Sequence, residues 1–92
     1  MIRSFRSKVL RLFVEGDTSK MPVHGAALER AEDQLVALDA ARQASDMDVP
    51  GWRFHPLRGK PARFSVRVSG NWRITFEFSA PDAIDVDIED YH

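Results

Sequence analysis

The sequence predicts an α+β domain: two amino-terminal helices packed on one face of a mostly antiparallel sheet of roughly four to five strands. Two observations carry that expectation. Apolar residues recur at helical spacing in the first half of the chain, and the second half alternates with a period of two between turn signals. Helices followed by hairpin-connected strands give layered α+β packing rather than alternating α/β units. Ninety-two residues suffice for one hydrophobic core and no more, so residues 1–92 are read as a single domain.

Taken in order, "MIRSF" is read as a short edge strand, with Ile2 and Phe5 as its apolar positions. A helical stretch follows over Ser7 to Glu15, and Gly16 closes it, because glycine accepts the left-handed conformation that ends helices. "DTSKMPVHG" is loop chemistry, and Pro22 is expected in the first turn of a new helix, where its missing N–H is not needed. In that helix Leu28, Ala31, Leu35 and Leu38 fall on one face, while Glu29, Arg30, Glu32, Asp33 and Asp39 lie elsewhere. It is expected to cover one face of the sheet.

The stretch "SDMDVPGWRFHPLRGKPARF" holds three prolines and two glycines, which makes it a turn-rich connection with at most a short extended piece near Trp52 to Leu57. Strands follow. Phe64, Val66 and Val68 alternate with Arg63, Ser65 and Arg67, and Trp72, Ile74, Phe76 and Phe78 alternate with Arg73, Thr75 and Glu77. Ser69-Gly70-Asn71 reads as the hairpin turn between them. After a second turn at "APDA", Ile84, Val86 and Ile88 are expected on one face, with Asp85, Asp87 and Glu89 on the other. Trp52 and Trp72 are read as core, and His24 is assigned no role.

No segment has the apolar length of a membrane span, and the amino terminus lacks the apolar block and cleavage site of a secretory signal, so a cytoplasmic location is expected. The chain has no cysteine, and its three histidines have no metal-ligand spacing, so neither a metal nor another cofactor is expected. The formal net charge of -1 conceals a pattern. Between Val49 and Phe76 there are six Arg or Lys residues and no acid, and between Glu77 and His92 there are six acids and no Arg or Lys. Neighbouring strands can neutralise part of this. An arginine left without an acidic neighbour is free for a phosphate.

Three blocks, "HPLRG" at 55–59, "NWRITF" at 71–76 and "EDYH" at 89–92, occur in order. Together with the opening "MIRSF" and "ALDAA" at 37–41, they resemble the HigB toxins, a branch of the RelE-like ribosome-dependent mRNA interferases. The resemblance spans nearly the whole chain and implies a RelE-like fold. It further implies a type II toxin that enters the ribosomal A site and cuts translated mRNA through attack by the RNA's own 2′-OH. The implied partners are the ribosome with its mRNA and a HigA-like helix-turn-helix antitoxin; a toxin–antitoxin heterotetramer or higher complex on operator DNA, through the antitoxin, is compatible with it.

Residue by residue, the resemblance implies catalytic roles for His55, Asp90, Tyr91 and His92. Histidine as a residue type can give or take protons near neutrality, though the sequence does not say which of His55 and His92 is base and which acid. Asp90 can orient a histidine, and Tyr91 offers a ring for a splayed base or a hydroxyl for a phosphate oxygen. Arg58, Arg67 and Arg73 are the candidates for phosphate binding and transition-state charge, with Lys60 and Arg63 as secondary RNA contacts. Because the sequence stops directly after His92, a carboxyl-terminal tag is expected to reduce activity without unfolding the protein. The alternative is a catalytically weak or inactive RelE-like module that binds RNA or a protein through its basic face.

Overall fold

A computed structural model describes residues 1–91. The first helix, α1, spans Lys8–Val14; Ser7 caps it, its Oγ accepting from the Leu10 amide at 3.2 Å. Gly16, at φ 106°, turns the chain out of it. The second, α2, spans Ala26–Ala40 and buries Ala31, Gln34, Leu35 and Leu38. Its start differs from expectation. Gly25, at φ 60°, is the residue that precedes the helix, and Pro22 lies in the loop before it. A left-handed glycine cannot be part of a right-handed first turn, so the helix begins after it.

A short 3-10 helix, Ala44–Met47, was not legible from apolar spacing. Local hydrogen bonds to the Asp46 carboxylate build it, from the Arg42 amide at 2.9 Å and the Gln43 amide at 3.3 Å. It delivers Met47 into the core, where the residue is fully buried.

Four strands follow: β1 His55–Pro56, β2 Arg63–Ser69, β3 Trp72–Ser79 and β4 Asp82–Asp90. They form one antiparallel sheet in sequence order. The opening segment is not a regular strand. Ile2 and Phe5 make isolated parallel bridges to Ala83 and Val86 of β4. The irregularity follows from β4 itself. Asp85 adopts φ 49° and the β3–β4 register shifts between Thr75 and Glu77, the signature of a bulge.

That extra residue reverses the parity of the strand's first part. Ala83 is fully buried and belongs to the core, while Ile84 sits opposite Glu77 and outside the core cluster. The expected Ile84–Val86–Ile88 row is therefore corrected to Ala83–Val86–Ile88. Leu10, Phe13, Leu35, Leu38 and Met47 join Val66, Val68, Ile74, Phe76, Ala83 and Val86 in one buried cluster, with Trp52 and Trp72 packed at its margin. The helices thus supply one side of the core and the sheet the other, leaving the opposite sheet face for polar residues.

Candidate active site

Strand register decides which polar residues meet. Residues directly opposite in adjacent strands point to the same face, so the pairings His55↔Ser65, Ser65↔Thr75 and Thr75↔Asp87 make one polar row across all four strands. A second row runs Arg67↔Arg73↔Glu89, nearer the β2–β3 turn. A third places Arg63 opposite Glu77. The face is basic where β2 and β3 meet and acidic along β4.

Arg67 and Arg73 stand directly opposite each other, an arrangement that is unfavourable for like charges unless an anion is shared. The Arg67 backbone is held from two sides. Its N–H donates to the Trp52 carbonyl at 2.7 Å, and its carbonyl accepts from Gln34 Nε2, also at 2.7 Å. The Arg67 side chain donates from Nε to the Gly70 carbonyl at 3.1 Å. Among the described residues, the ion pairs gather at Asp82, with Arg3 and the amino terminus, and none engages Arg58, Arg67 or Arg73.

Arg63 is more tightly engaged, with Nη2 donating to Thr75 Oγ1 at 3.2 Å and to the Asp85 carbonyl at 2.9 Å. It acts as a brace from β2 to β4 across the face. Thr75, fully buried, donates a hydrogen bond from its hydroxyl to a Glu89 carboxylate oxygen. Ser65 is buried as well, and its Oγ, with one guanidinium nitrogen each of Arg63 and Arg73, has no hydrogen-bond partner within the described protein. Buried polar groups are ordinarily paired, so these three stand out on the face.

His55 lies exposed on the edge strand. Its Nδ1 is 3.3 Å from the Arg53 carbonyl. A carbonyl only accepts, so this contact places a proton on Nδ1; in a neutral ring Nε2 is then the acceptor. Arg53 itself holds φ 50°, a conformation that turns the chain from Trp52 towards the edge strand. Arg58 and Lys60 are exposed in the connection between β1 and β2, where the Leu57 amide donates to the Arg63 carbonyl at 2.8 Å.

At the other edge, Asp90 ends β4 opposite Trp72, and the Tyr91 amide donates to the Asn71 carbonyl at 2.8 Å. Tyr91 is 38% exposed. His92 lies outside the described residues. His55 and the Asp90–Tyr91 tail therefore sit on opposite edges, separated by β2 and β3. Three inter-strand steps across the sheet and the three-residue offset from Asp87 to Asp90 along β4 together separate them by roughly 17 Å of backbone, with Arg67 and Arg73 between them.

The sequence reasoning did not single out Ser65, Thr75, Asp87 or Glu89 as site residues, although alternation had put all four on the polar face. Register is what makes them neighbours of the arginines and His55. Burial pushes the Asp87 carboxyl above its usual range; Glu89 adds to this, and the bond from the Ile88 amide and the charges of Arg6 and Arg63 oppose it. Among the described residues, no group of three His, Asp or Glu could hold a metal ion, and no helix is long and apolar enough to cross a membrane.

Comparison with known proteins bears on the same chain length. Residues 3–92 match the family described as the RelE-like toxin of type II toxin-antitoxin system HigB. The whole chain also aligns with the whole of a Proteus vulgaris protein named Endoribonuclease HigB, 39% identical over 94 positions. Helices and a four-stranded antiparallel sheet with this spacing of blocks agree with those matches, and the chain belongs to the RelE-like HigB toxins of type II toxin-antitoxin systems.

Proposed function

We propose that this toxin is an endoribonuclease that cuts translated mRNA in the ribosomal A site, with the polar sheet face as its RNA surface. The observation that carries the reading is the Arg67–Arg73 pair at the centre of that face, two like charges placed opposite each other with no carboxylate ion-paired to either among the described residues. A bridging phosphate turns this repulsion into two attractive contacts.

The chemistry balances without an external nucleophile. The RNA's 2′-oxygen bonds to the adjacent phosphorus as the bond to the 5′-oxygen breaks, leaving a 2′,3′-cyclic phosphate. His55, with Nε2 free to accept, takes the 2′-OH proton. The tail of Asp90, Tyr91 and His92 supplies the proton to the departing 5′-oxygen and a ring on which a splayed base stacks; His92 enters on sequence alone. Arg73 and Arg67 hold the phosphorane's charge. Arg58, Lys60 and Arg63 contact the flanking backbone. The working partners are the ribosome and a HigA-like helix-turn-helix antitoxin, in a heterotetramer or larger complex, and a ribosomal target places the toxin in the cytoplasm.

The spread of the site over both sheet edges favours one second reading, an RNA-binding face without cleavage. Mapping mRNA ends in a translating extract separates the two. Wild-type protein is expected to produce new ends inside the reading frame, and His55→Ala to reduce their yield by about 10²–10⁴-fold, the range for losing a proton-transfer group. Arg73→Ala is expected to reduce it comparably, about 10²–10³-fold, as for loss of a transition-state donor. Identical ends and yields for all three proteins overturn the catalytic reading. Salt-sensitive RNA binding with no cleavage by wild type selects the binding module.

A further inference from the structure

On the helix side of the sheet, away from every candidate active-site residue, a groove of about 650 Å³ opens between the amino-terminal segment, the end of α1 and α2. Phe5, Phe13 and Leu35 give it an apolar lining. Val14 and Val36 also border it, 50% and 65% exposed, and they are two of the four large apolar residues left exposed in the described structure. The volume alone would also suit a small molecule. Valines standing out into water at the border are what a protein surface covers.

Charge narrows the occupant. The two ionisable residues lining the groove, Glu32 and Asp39, are both acids, and Glu29 and Asp33 add to the acidity of the exposed side of α2. A second copy docked groove to groove would set acids against acids. We propose that the groove is the docking surface for an apolar segment of the antitoxin that carries Lys or Arg beside its apolar anchors. This rests on the toxin–antitoxin reading. The partner's apolar side chains cover Val14 and Val36 and enter between α1 and α2, while its basic residues meet Glu32 and Asp39. The sheet's polar face takes no part in this contact.

The test uses the full chain and, as probe, a purified HigA-like antitoxin, titrated by calorimetry. Val36→Arg and Val14→Lys alter exposed side chains, so their melting curves should match wild type, and each is expected to weaken binding at least tenfold. Glu32→Lys is expected to weaken it similarly and to flatten its dependence on salt. His55→Ala should bind as wild type does. Wild-type affinity in Val36→Arg and Val14→Lys overturns the proposal. So does light scattering that finds the isolated chain dimeric and Val36→Arg monomeric, since the groove is then a self-interface. Binding is read without RNA, so its outcome is separate from whether the wild type cleaves mRNA.

Discussion

Asp87 shows how a single side chain on the polar face bears on both stability and chemistry. It occupies the β4 end of the row that starts at His55, and burial raises its carboxyl above the ordinary value of 3.8. The folded protein therefore binds this proton more tightly than the unfolded chain does. Stability is lost from this group as pH rises from about that ordinary value through the raised one, and the loss is complete at neutral pH. Asp87→Asn keeps an oxygen for the Ile88 amide, which donates to Asp87 Oδ1 at 2.9 Å, and removes the charge. Its thermal midpoint should exceed that of wild type at pH 7, with the difference vanishing below pH 3.8. A lower midpoint at pH 7 would show that attraction to Arg6 and Arg63 outweighs burial. Alternation placed Asp87 on the polar face in advance; that it is half-buried there depends on neighbours contributed by other strands.

At the scale of elements, β4 carries the clearest difference between pattern and structure. The alternation in "IDVDIED" suggests an uninterrupted strand, yet the bulge at Asp85 moves Ala83 into the core and Ile84 out of it. Hydrogen bonds from other elements hold the bulge. The Asp85 amide donates to Ser4 Oγ at 2.9 Å, and its carbonyl accepts from Arg63. With φ at 49°, a β-branched residue there is strained whereas glycine is not. Asp85→Val should therefore lower unfolding free energy by about 1–2 kcal/mol, the cost of a β-branched residue in a region that aspartate and glycine tolerate. Asp85→Gly should stay within about 0.5 kcal/mol of wild type; chemical denaturation measures both. Equal losses would place the effect in the lost carboxylate instead. By contrast, α1 was legible almost to the residue, because Ser7 and Gly16 mark its ends by local chemistry. The start of α2 was misplaced because Pro22 satisfies a helix-start rule that Gly25, three residues later, overrides.

For the whole molecule, one core links the polar sheet face and the groove beside α2. Leu38 on α2 is fully buried in the same cluster as Ile74 and Phe76, whose strand carries Arg73 and Thr75 on its other side. Leu38→Ala should cost about 2–5 kcal/mol and lower the midpoint in a single transition, seen alike by backbone and aromatic circular dichroism. Two separated transitions would mean that the helices and the sheet unfold independently. The net charge of -1 gave little sign of the basic β2–β3 face, because it averages that face with the acids of α2 and β4.

Composition, periodicity and end signals are local properties, and they sufficed for one α+β domain, its helical half and its stranded half, and the polar or apolar parity of β2 and β3. The three sequence blocks sufficed for the family. What faces what was settled only by tertiary structure. Antiparallel register set Arg67 against Arg73 and placed His55 in line with Ser65, Thr75 and Asp87, while the bulge reset the parity of β4 and chain packing opened the groove beside Val14 and Val36. Those relations join residues tens of positions apart, and their energies come from pairing and burial between elements, which no local run of sequence records.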